Sequence, residues 1–323
     1  MPEGHSVHRI ARQFEANFVG RSCRASSPQG RFAEGAALLD GRIMEECFAV
    51  GKQMFARFEG GIWLRVHLGI YGAWDFTGEV ATKLGQTGEY SRVTGGKVRH
   101  EGVVDALGED SVRSIGAPRR MRMAEGEAES ELTEQWPPEP VGAVRLRLLT
   151  DVTCADLRGP TACETLDAHG VERVLDRLGP DPLVVDAAEG EQAFVDRVRK
   201  RRVPIGQLLM DQSVVAGIGN IYRAEMLYRA SLSPHRAGVD VPEELVREMW
   251  RDWTKLLAIG VEVGQMMTID GLEGDDWKLA LRDRDHRHWV YGRAGEPCRN
   301  CGTPIALEMM QNRKLYWCPG CQT

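Results

Sequence analysis

The sequence predicts an α+β protein of two principal domains and a small metal-held tail, on three observations. Apolar residues alternate at period two through much of the first half, as half-buried strands require. Residues 188–264 instead follow helical spacing, with few β-branched alternations. Four of the eight cysteines, Cys298, Cys301, Cys318 and Cys321, fall within the last 26 residues. With 323 residues, 42% of them hydrophobic and 27% charged, the composition excludes collagen-like and wholly disordered chains. No apolar run approaches the ~18 residues of a membrane-spanning helix. The start MPEGHSVHRIARQF lacks the basic-then-apolar order of a signal peptide, so a cytoplasmic protein is expected.

Val7, Ile10, Ala11 and Phe14 stand at i, i+3, i+4 and i+7, which predicts a helix starting near Ser6. Phe48, Val50, Met54, Ala56 and Phe58 alternate, Glu59-Gly60-Gly61 turns the chain, and Ile62, Leu64, Val66 and Leu68 alternate again. That is a β-hairpin with one apolar face. Residues 77–140 are rich in Gly and Glu and contain Pro137-Pro138, which predicts strands carrying a long solvated loop near 105–138. Val144, Leu146 and Leu148 resume the strand pattern, and Val152 opens another short run. Leu178-Gly179-Pro180-Asp181-Pro182 stops a helix and makes a natural linker. The expected organisation is a β-rich domain over 1–177, a hinge at 178–183, a helical domain over 184–289 and a cysteine-bearing tail over 290–323, with no internal repeat.

The formal charge of −6 is unevenly placed. Segment 101–140 holds ten acids against four arginines and alone carries −6, so the remaining chain is neutral overall. Segment 195–236 has eight Arg or Lys against three acids, and its basic run starts with Arg197, Arg199, Lys200, Arg201 and Arg202. Local stripes, not the whole-chain balance, decide where phosphates bind.

Four constellations carry chemistry. The spacing Cys298-x2-Cys301-x16-Cys318-x2-Cys321 lets two tight knuckles converge on one tetrahedral Zn²⁺. Four thiolates leave no open coordination position, so that zinc is structural. It would make a rigid platform of Gly302 to Trp317 that presents Arg313 and Lys314. In QLLMDQSVVAGIGNIY, Gln207 to Tyr222, Gly217 and Gly219 permit close approach or positive φ, and Asn220 is placed to cap the following helix. The segment reads either as a turn between packed helices or as an anion site at a helix N-terminus, and the basic run upstream favours phosphate. Lys52 falls in register with Phe48 to Phe58, on the apolar face of its strand, where it either snorkels out at a strand end or is held in a cleft for substrate. Finally, loss of Met1 would expose Pro2 as a secondary amine, partly unprotonated near neutrality and next to a helix N-terminus. Such an amine attacks a carbonyl-like carbon to give an iminium, and Glu3 beside it is placed to move protons.

Together these features resemble the formamidopyrimidine-DNA glycosylase and endonuclease VIII family over nearly the whole chain. Met1-Pro2-Glu3-Gly4 looks like the family N-terminus, Lys52 its strand lysine and His67-Leu68-Gly69 its HLG segment. Leu178 to Leu183 looks like the interdomain hinge, Gln207 to Tyr222 the helix-two-turn-helix, and VYGRAGEPCRNCGTPI at 290–305 the start of the zinc finger. The resemblance implies an N-terminal β-sandwich with flanking helices, a helical helix-two-turn-helix domain and a zinc-finger β-hairpin. It implies a monomer acting on damaged DNA in the bacterial nucleoid, with one structural Zn²⁺ and no catalytic cofactor. Pro2 would be the nucleophile at C1′, Glu3 the acid/base, and Lys52, Asn220 and Arg313 the holders of the phosphates flanking a flipped nucleotide. Base excision would be followed by β- and δ-elimination.

Two departures bear on substrate. Leu281-Arg282-Asp283 is followed by only six residues before Val290, too few for the loop that covers a flipped purine in the oxidised-purine branch. That favours the endonuclease VIII branch and oxidised pyrimidines. The HLG segment continues as Ile70-Tyr71-Gly72, similar to the wedge that fills the space left by the flipped base, but Gly69 stands where that branch has glutamine. The alternatives are an oxidised-purine glycosylase, a non-catalytic damage-sensing protein and a structural or regulatory zinc-ribbon protein.

Overall fold

The computed structural model describes residues 2–81, 92–93, 112–117 and 136–323. The chain forms two compact units, Met1–Asp176 with Val261–Gly264, and Arg177–Gly260 with Gln265–Thr323.

In the first unit, helix α1 (Gly4–Asn17) starts directly after Glu3, whose backbone carbonyl accepts from the amides of Ser6 and Val7. Its predicted apolar stripe is buried, and Phe14 meets Trp74 and Phe76 edge-on at 4.8 and 5.4 Å. After β1 (Ser22–Ser26) and α2 (Ala33–Leu39) come β2 (Arg42–Val50), β3 (Gln53–Phe58) and β4 (Ile62–His67), each antiparallel to the last. Then follow β5 (Ala73–Gly78), the short β6 (Val80–Ala81) and β7 (Arg92–Val93), β8 (Ser114–Gly116), β9 (Val144–Leu149), β10 (Thr153–Arg158) and β11 (Ala162–Leu166). Helix α3 (Ala168–Leu175) closes the unit, capped by Asp167.

Nine strands join in the order β11-β4-β3-β2-β1-β9-β10-β5-β8. Strand β1 links the two halves: Ser22 and Cys23 pair with β2, whereas Arg24 to Ser26 pair with β9. Met54, Ala56, Phe58, Leu64 and Val66 from one half share a buried cluster with Trp74, Phe76, Leu146, Leu148 and Leu157 from the other, and α1 contributes Val7, Ile10 and Phe14. One core filled from both halves is the expected sandwich, with α1 as its flanking helix.

Two details differ from the sequence reading. The alternation from Phe48 to Phe58 is two strands, not one, because Gly51-Lys52 forms a two-residue turn with Gly51 at φ +58°. The faces exchange across it: Ala49, Met54, Ala56 and Phe58 enter the core, while Phe48 stacks on Phe55 on the other face, centroids 5.4 Å apart. Lys52 therefore lies half-buried at a hairpin turn rather than on an apolar strand face. Strand β8, paired with β5, also falls inside the expected loop at 105–138. Apart from 112–117 and 136–140, the acidic segment 101–140 lies outside the described residues.

The second unit is helical. Helix α4 (Ala187–Arg199) is capped by Asp186, whose carboxylate accepts from the amides of Ala188 and Glu189. The short α5 (Ile205–Leu208), α6 (Asn220–Arg229), α7 (Glu243–Val263) and α8 (Gly274–Arg282) follow. A hairpin of β12 (Ala306–Met310) and β13 (Arg313–Trp317) ends the chain. No helix among the described residues is long and apolar enough to cross a membrane.

Candidate active site and nucleic-acid surface

Pro2 and Glu3 are both buried, at the N-terminus of α1. Glu3 occupies the N-cap position, yet its carboxylate does not cap the helix; its backbone carbonyl does the pairing. Neighbouring His5 is neutral, its pKa lowered to about 3 by burial first and then by the charge of Arg9. The helix end thus combines a carboxyl group with a neutral imidazole away from solvent. Lys52 is close enough to His67 that, after burial, its charge is the next cause lowering the His67 pKa.

Ile70 and Tyr71 lie in the tight turn between β4 and β5, closed by the Gly72 amide donating to the Leu68 carbonyl at 3.1 Å. Ile70 is half-buried and Tyr71 is 53% exposed. Gly69 has φ +67°, so its conformation alone favours glycine. A Cβ there would sit 1.8 Å from Thr161 Oγ1, so a side chain at 69 would also have to displace that hydroxyl. Gly69→Ala should lower stability by about 1 kcal/mol or more through positive φ alone, with the clash in addition, read as a reduced melting temperature.

In the second unit, Gly217 has φ +95° and Gly219 is the N-cap of α6. Asn220 is the first helical residue rather than the cap expected from sequence. Its side chain reaches across to the C-terminal hairpin instead: Nδ2 donates to the Lys314 carbonyl at 2.8 Å. Buried Arg223 donates to Asn220 Oδ1 at 2.5 Å and to the same carbonyl at 3.2 Å. The hairpin turns at Gln311-Asn312, both with positive φ as a two-residue turn requires, and Gln311 donates to Gln207 at 3.1 Å. Asn220 and the Arg313–Lys314 strand are thereby brought together.

The basic run contributes less than its charge suggested. Arg197 donates to the carbonyls of Leu178 and Ser213, Arg199 pairs with Glu243, and Arg201 pairs with Asp211. Lys200 and Arg202 are exposed at the end of α4.

The four tail cysteines converge, with all Sγ atoms within 4.8 Å of one another. Cys298 and Cys321 are 3.8 Å apart, Cys301 and Cys318 3.5 Å. A tetrahedral Zn²⁺ with Zn–S near 2.3 Å holds its sulfurs about 3.8 Å apart, so the donor set fits a structural metal. Tyr228 from α6 meets Cys298 Sγ at 3.2 Å.

Glu225 was not singled out by sequence. Fully buried on α6, its carboxylate accepts from the backbone amides of Trp289, Val290 and Tyr291 at 2.7, 2.9 and 2.8 Å and from the Thr268 hydroxyl at 2.5 Å. It fixes the chain leading into the metal-binding tail. The only signal was a pair of charges, Arg223 and Glu225, in the otherwise apolar middle of α6. Glu225→Ala would strand four donors, so a loss of about 3 kcal/mol or more is expected in denaturant unfolding, against a smaller loss for Glu225→Gln.

Comparison with known proteins agrees with this arrangement. Residues 1–163 match the formamidopyrimidine-DNA glycosylase N-terminal domain, and residues 178–270 match the formamidopyrimidine-DNA glycosylase H2TH domain. Endonuclease 8 1 of Mycobacterium tuberculosis is 38% identical over 323 residues, covering 100% of both chains. The formamidopyrimidine-DNA glycosylase of Thermus thermophilus is 37% identical over 153 residues, 45% of this chain and 54% of its own. The crystal structure of the MutM (Fpg) protein from Thermus thermophilus superposes with a TM-score of 0.67 at 25% identity, over 99% of this chain and 98% of that one. The fold is also shared with Lactococcus lactis Fpg in complex with DNA containing an abasic site, with a TM-score of 0.67 at 19% identity over 99% of each chain. With both domain signatures in sequence order and a full-length endonuclease 8 relative, the chain belongs to the formamidopyrimidine-DNA glycosylase and endonuclease VIII family, DNA glycosylases of base excision repair.

Proposed function

We propose that this protein is a bifunctional glycosylase and abasic-site lyase that removes oxidised pyrimidines from DNA, acting as a monomer with a hinge at 178–183. The observation that carries the reading is the pairing of Pro2 with Glu3, both buried at the N-terminus of α1. Once Met1 is removed, the Pro2 nitrogen attacks C1′ of a flipped nucleotide, the glycosidic bond breaks and the base leaves with the proton that the amine gives up. The Glu3 carboxyl then delivers its proton to O4′ as the sugar ring opens to an iminium. Loss of a C2′ proton expels the 3′ phosphate, a second elimination expels the 5′ phosphate, and water releases the sugar fragment from Pro2. Flipping is required because C1′ of a stacked nucleotide is out of reach of a buried amine.

Lys52, Asn220 and Arg313 hold the flanking phosphates. Asn220 spends one amide N–H on Lys314 and has a second to offer, and the amides at the start of α6 add to an anion site. Zn²⁺ is the ion assigned to the four thiolates, and its part is to hold the hairpin that carries Arg313. Support for a pyrimidine substrate comes from the chain between Asp283 and Val290: a single 3-10 turn at Arg284–His286 is followed by residues pinned to Thr268 and Glu225, with no chain to spare for a purine cover.

Borohydride trapping tests the reading, on duplexes carrying an abasic site, 5-hydroxyuracil or 8-oxoguanine, with protein lacking Met1 and a Pro2→Gly control. A covalent adduct at residue 2 on the abasic and pyrimidine duplexes is expected. An adduct on the oxidised-purine duplex in preference would reverse the substrate assignment. No adduct on any duplex would leave a non-catalytic damage-binding protein.

A further inference from the structure

A cleft of about 430 Å³ opens in the second unit, and none of the residues assigned above to phosphate lines it. Leu245, Glu248, Met249 and Asp252, at i, i+3, i+4 and i+7 on α7, form one wall. The end of α6 forms a second, and Trp289 with the cysteine-bearing tail completes the enclosure. Three carboxylates, Glu248, Asp252 and Asp270, line it beside two guanidiniums, Arg229 and Arg299. Both guanidiniums are committed to protein acceptors. Arg229 gives Nε and Nη2 to Asp252 at 2.7 and 2.6 Å, and Nη1 to Asp270 and the Thr268 carbonyl, each at 2.6 Å. Arg299 donates to the carbonyls of His288 and Asp285. Glu248, by contrast, is exposed and has no ion-pair partner among the described residues.

The end of α6 adds acceptors. Ser231, φ +49°, turns the chain there, its amide going to the Tyr228 carbonyl and that of Leu232 to Leu227. The carbonyls of Arg229 and Ala230 are left without an amide donor among the described residues. Such a helix C-terminus carries partial negative charge. Tyr228 and Trp289 stack at 5.4 Å between centroids and 25°, and aromatic faces attract cations as well.

We propose that this cleft binds an aliphatic polyamine. Its ammonium groups pair with Glu248 and the end of α6, while its methylene segments lie against Met226, Met249 and the aromatic pair. The volume falls within the roughly 300–1,000 Å³ of small-molecule sites. An occupant would tie α7, the end of α6 and the tail together, so binding raises the melting temperature.

The test is isothermal titration calorimetry on the full-length protein without DNA, at about 0.15 M salt, where diffuse surface attraction is screened. Spermidine is compared with neutral triethylene glycol and with a capped lysine peptide. The variants are Glu248→Gln and, as a control of equal charge change, Glu34→Gln on α2, also exposed. One saturable site for spermidine is expected, with a dissociation constant raised about tenfold or more in Glu248→Gln and unchanged in Glu34→Gln. No saturable heat with spermidine overturns the proposal. So does equal weakening in both variants, which is the mark of diffuse attraction, and so does equally tight binding of the glycol, which would need no charge. Tighter binding of the lysine peptide overturns the polyamine in favour of a partner protein's side chain. The outcome is independent of trapping on abasic DNA, because neither Pro2 nor Glu3 belongs to the cleft.

Discussion

Glu3→Gln is expected to slow excision of an oxidised pyrimidine by roughly a hundredfold to ten-thousandfold, the span of general acid–base catalysis, while zinc content and DNA affinity stay close to those of the unaltered protein. Glutamine matches the carboxylate in size but cannot deliver a proton to O4′. The start of α1 is kept in the variant, because it is the backbone carbonyl of residue 3 that accepts from the amides of Ser6 and Val7. Burial of Glu3 and the neutral state of His5 leave few other proton donors at that helix end. Single-turnover rates on a 5-hydroxyuracil duplex, beside binding to an uncleavable abasic analogue, separate chemistry from affinity. Equal rates for the variant would remove Glu3 from the mechanism. Protein that retains Met1 should be as inactive as the variant, since the Pro2 nitrogen is then an amide with no lone pair to spend.

What the sequence disclosed, and what it hid, follows the range of the interactions involved. The candidate metal site was legible because the spacing of Cys298, Cys301, Cys318 and Cys321 is a local property of two knuckles, and the four sulfurs do converge. Helix α1 was legible from its 3.6-residue stripe, and the sandwich from period-two runs in β3, β4 and β9. Lys52 was misplaced for a physical reason: Phe48 and Val50 are apolar although they lie on the face opposite Ala49, so the even-numbered alternation ran on through Gly51-Lys52 while the two-residue turn exchanged the faces. Asn220 carried the right residue type at the right helix end, but its partner, the Lys314 carbonyl, is 94 residues away in the chain. Glu225 was nearly silent for the same reason: its partners, the amides of Trp289 to Tyr291, lie 64 to 66 residues away in the chain, and a single acid gives no periodic signal.

Removal of the metal, or replacement of both Cys318 and Cys321 by Ser, should abolish high-affinity binding to damaged DNA while leaving the β-sandwich folded. A two-stranded hairpin is marginal in water on its own, and β12–β13 has only five residues in each strand. Structural zinc supplies roughly 10–16 kcal/mol in small metal-held folds, far more than this hairpin could forgo. The loss would not stay within the tail. Cys298 and Cys318 belong to the buried cluster with Ala224, Tyr228, Val290 and Ile305, and Asn220 and Arg223 both depend on the Lys314 carbonyl. Loosening β13 therefore displaces Arg313 and frees Asn220 in one step, removing two of the three proposed phosphate contacts. Each charge-assisted hydrogen bond contributes about 1.5–3 kcal/mol, so affinity should fall by more than about tenfold, and its salt dependence should weaken as the Arg313 contact is lost. Fluorescence anisotropy with an abasic-analogue duplex at several salt concentrations reads both quantities, with metal content measured on the same samples. Protein verified to be metal-free that binds with unchanged affinity and salt slope would show that the hairpin does not carry the DNA contact. The DNA contact would then have to be sought in the exposed end of α4, at Lys200 and Arg202.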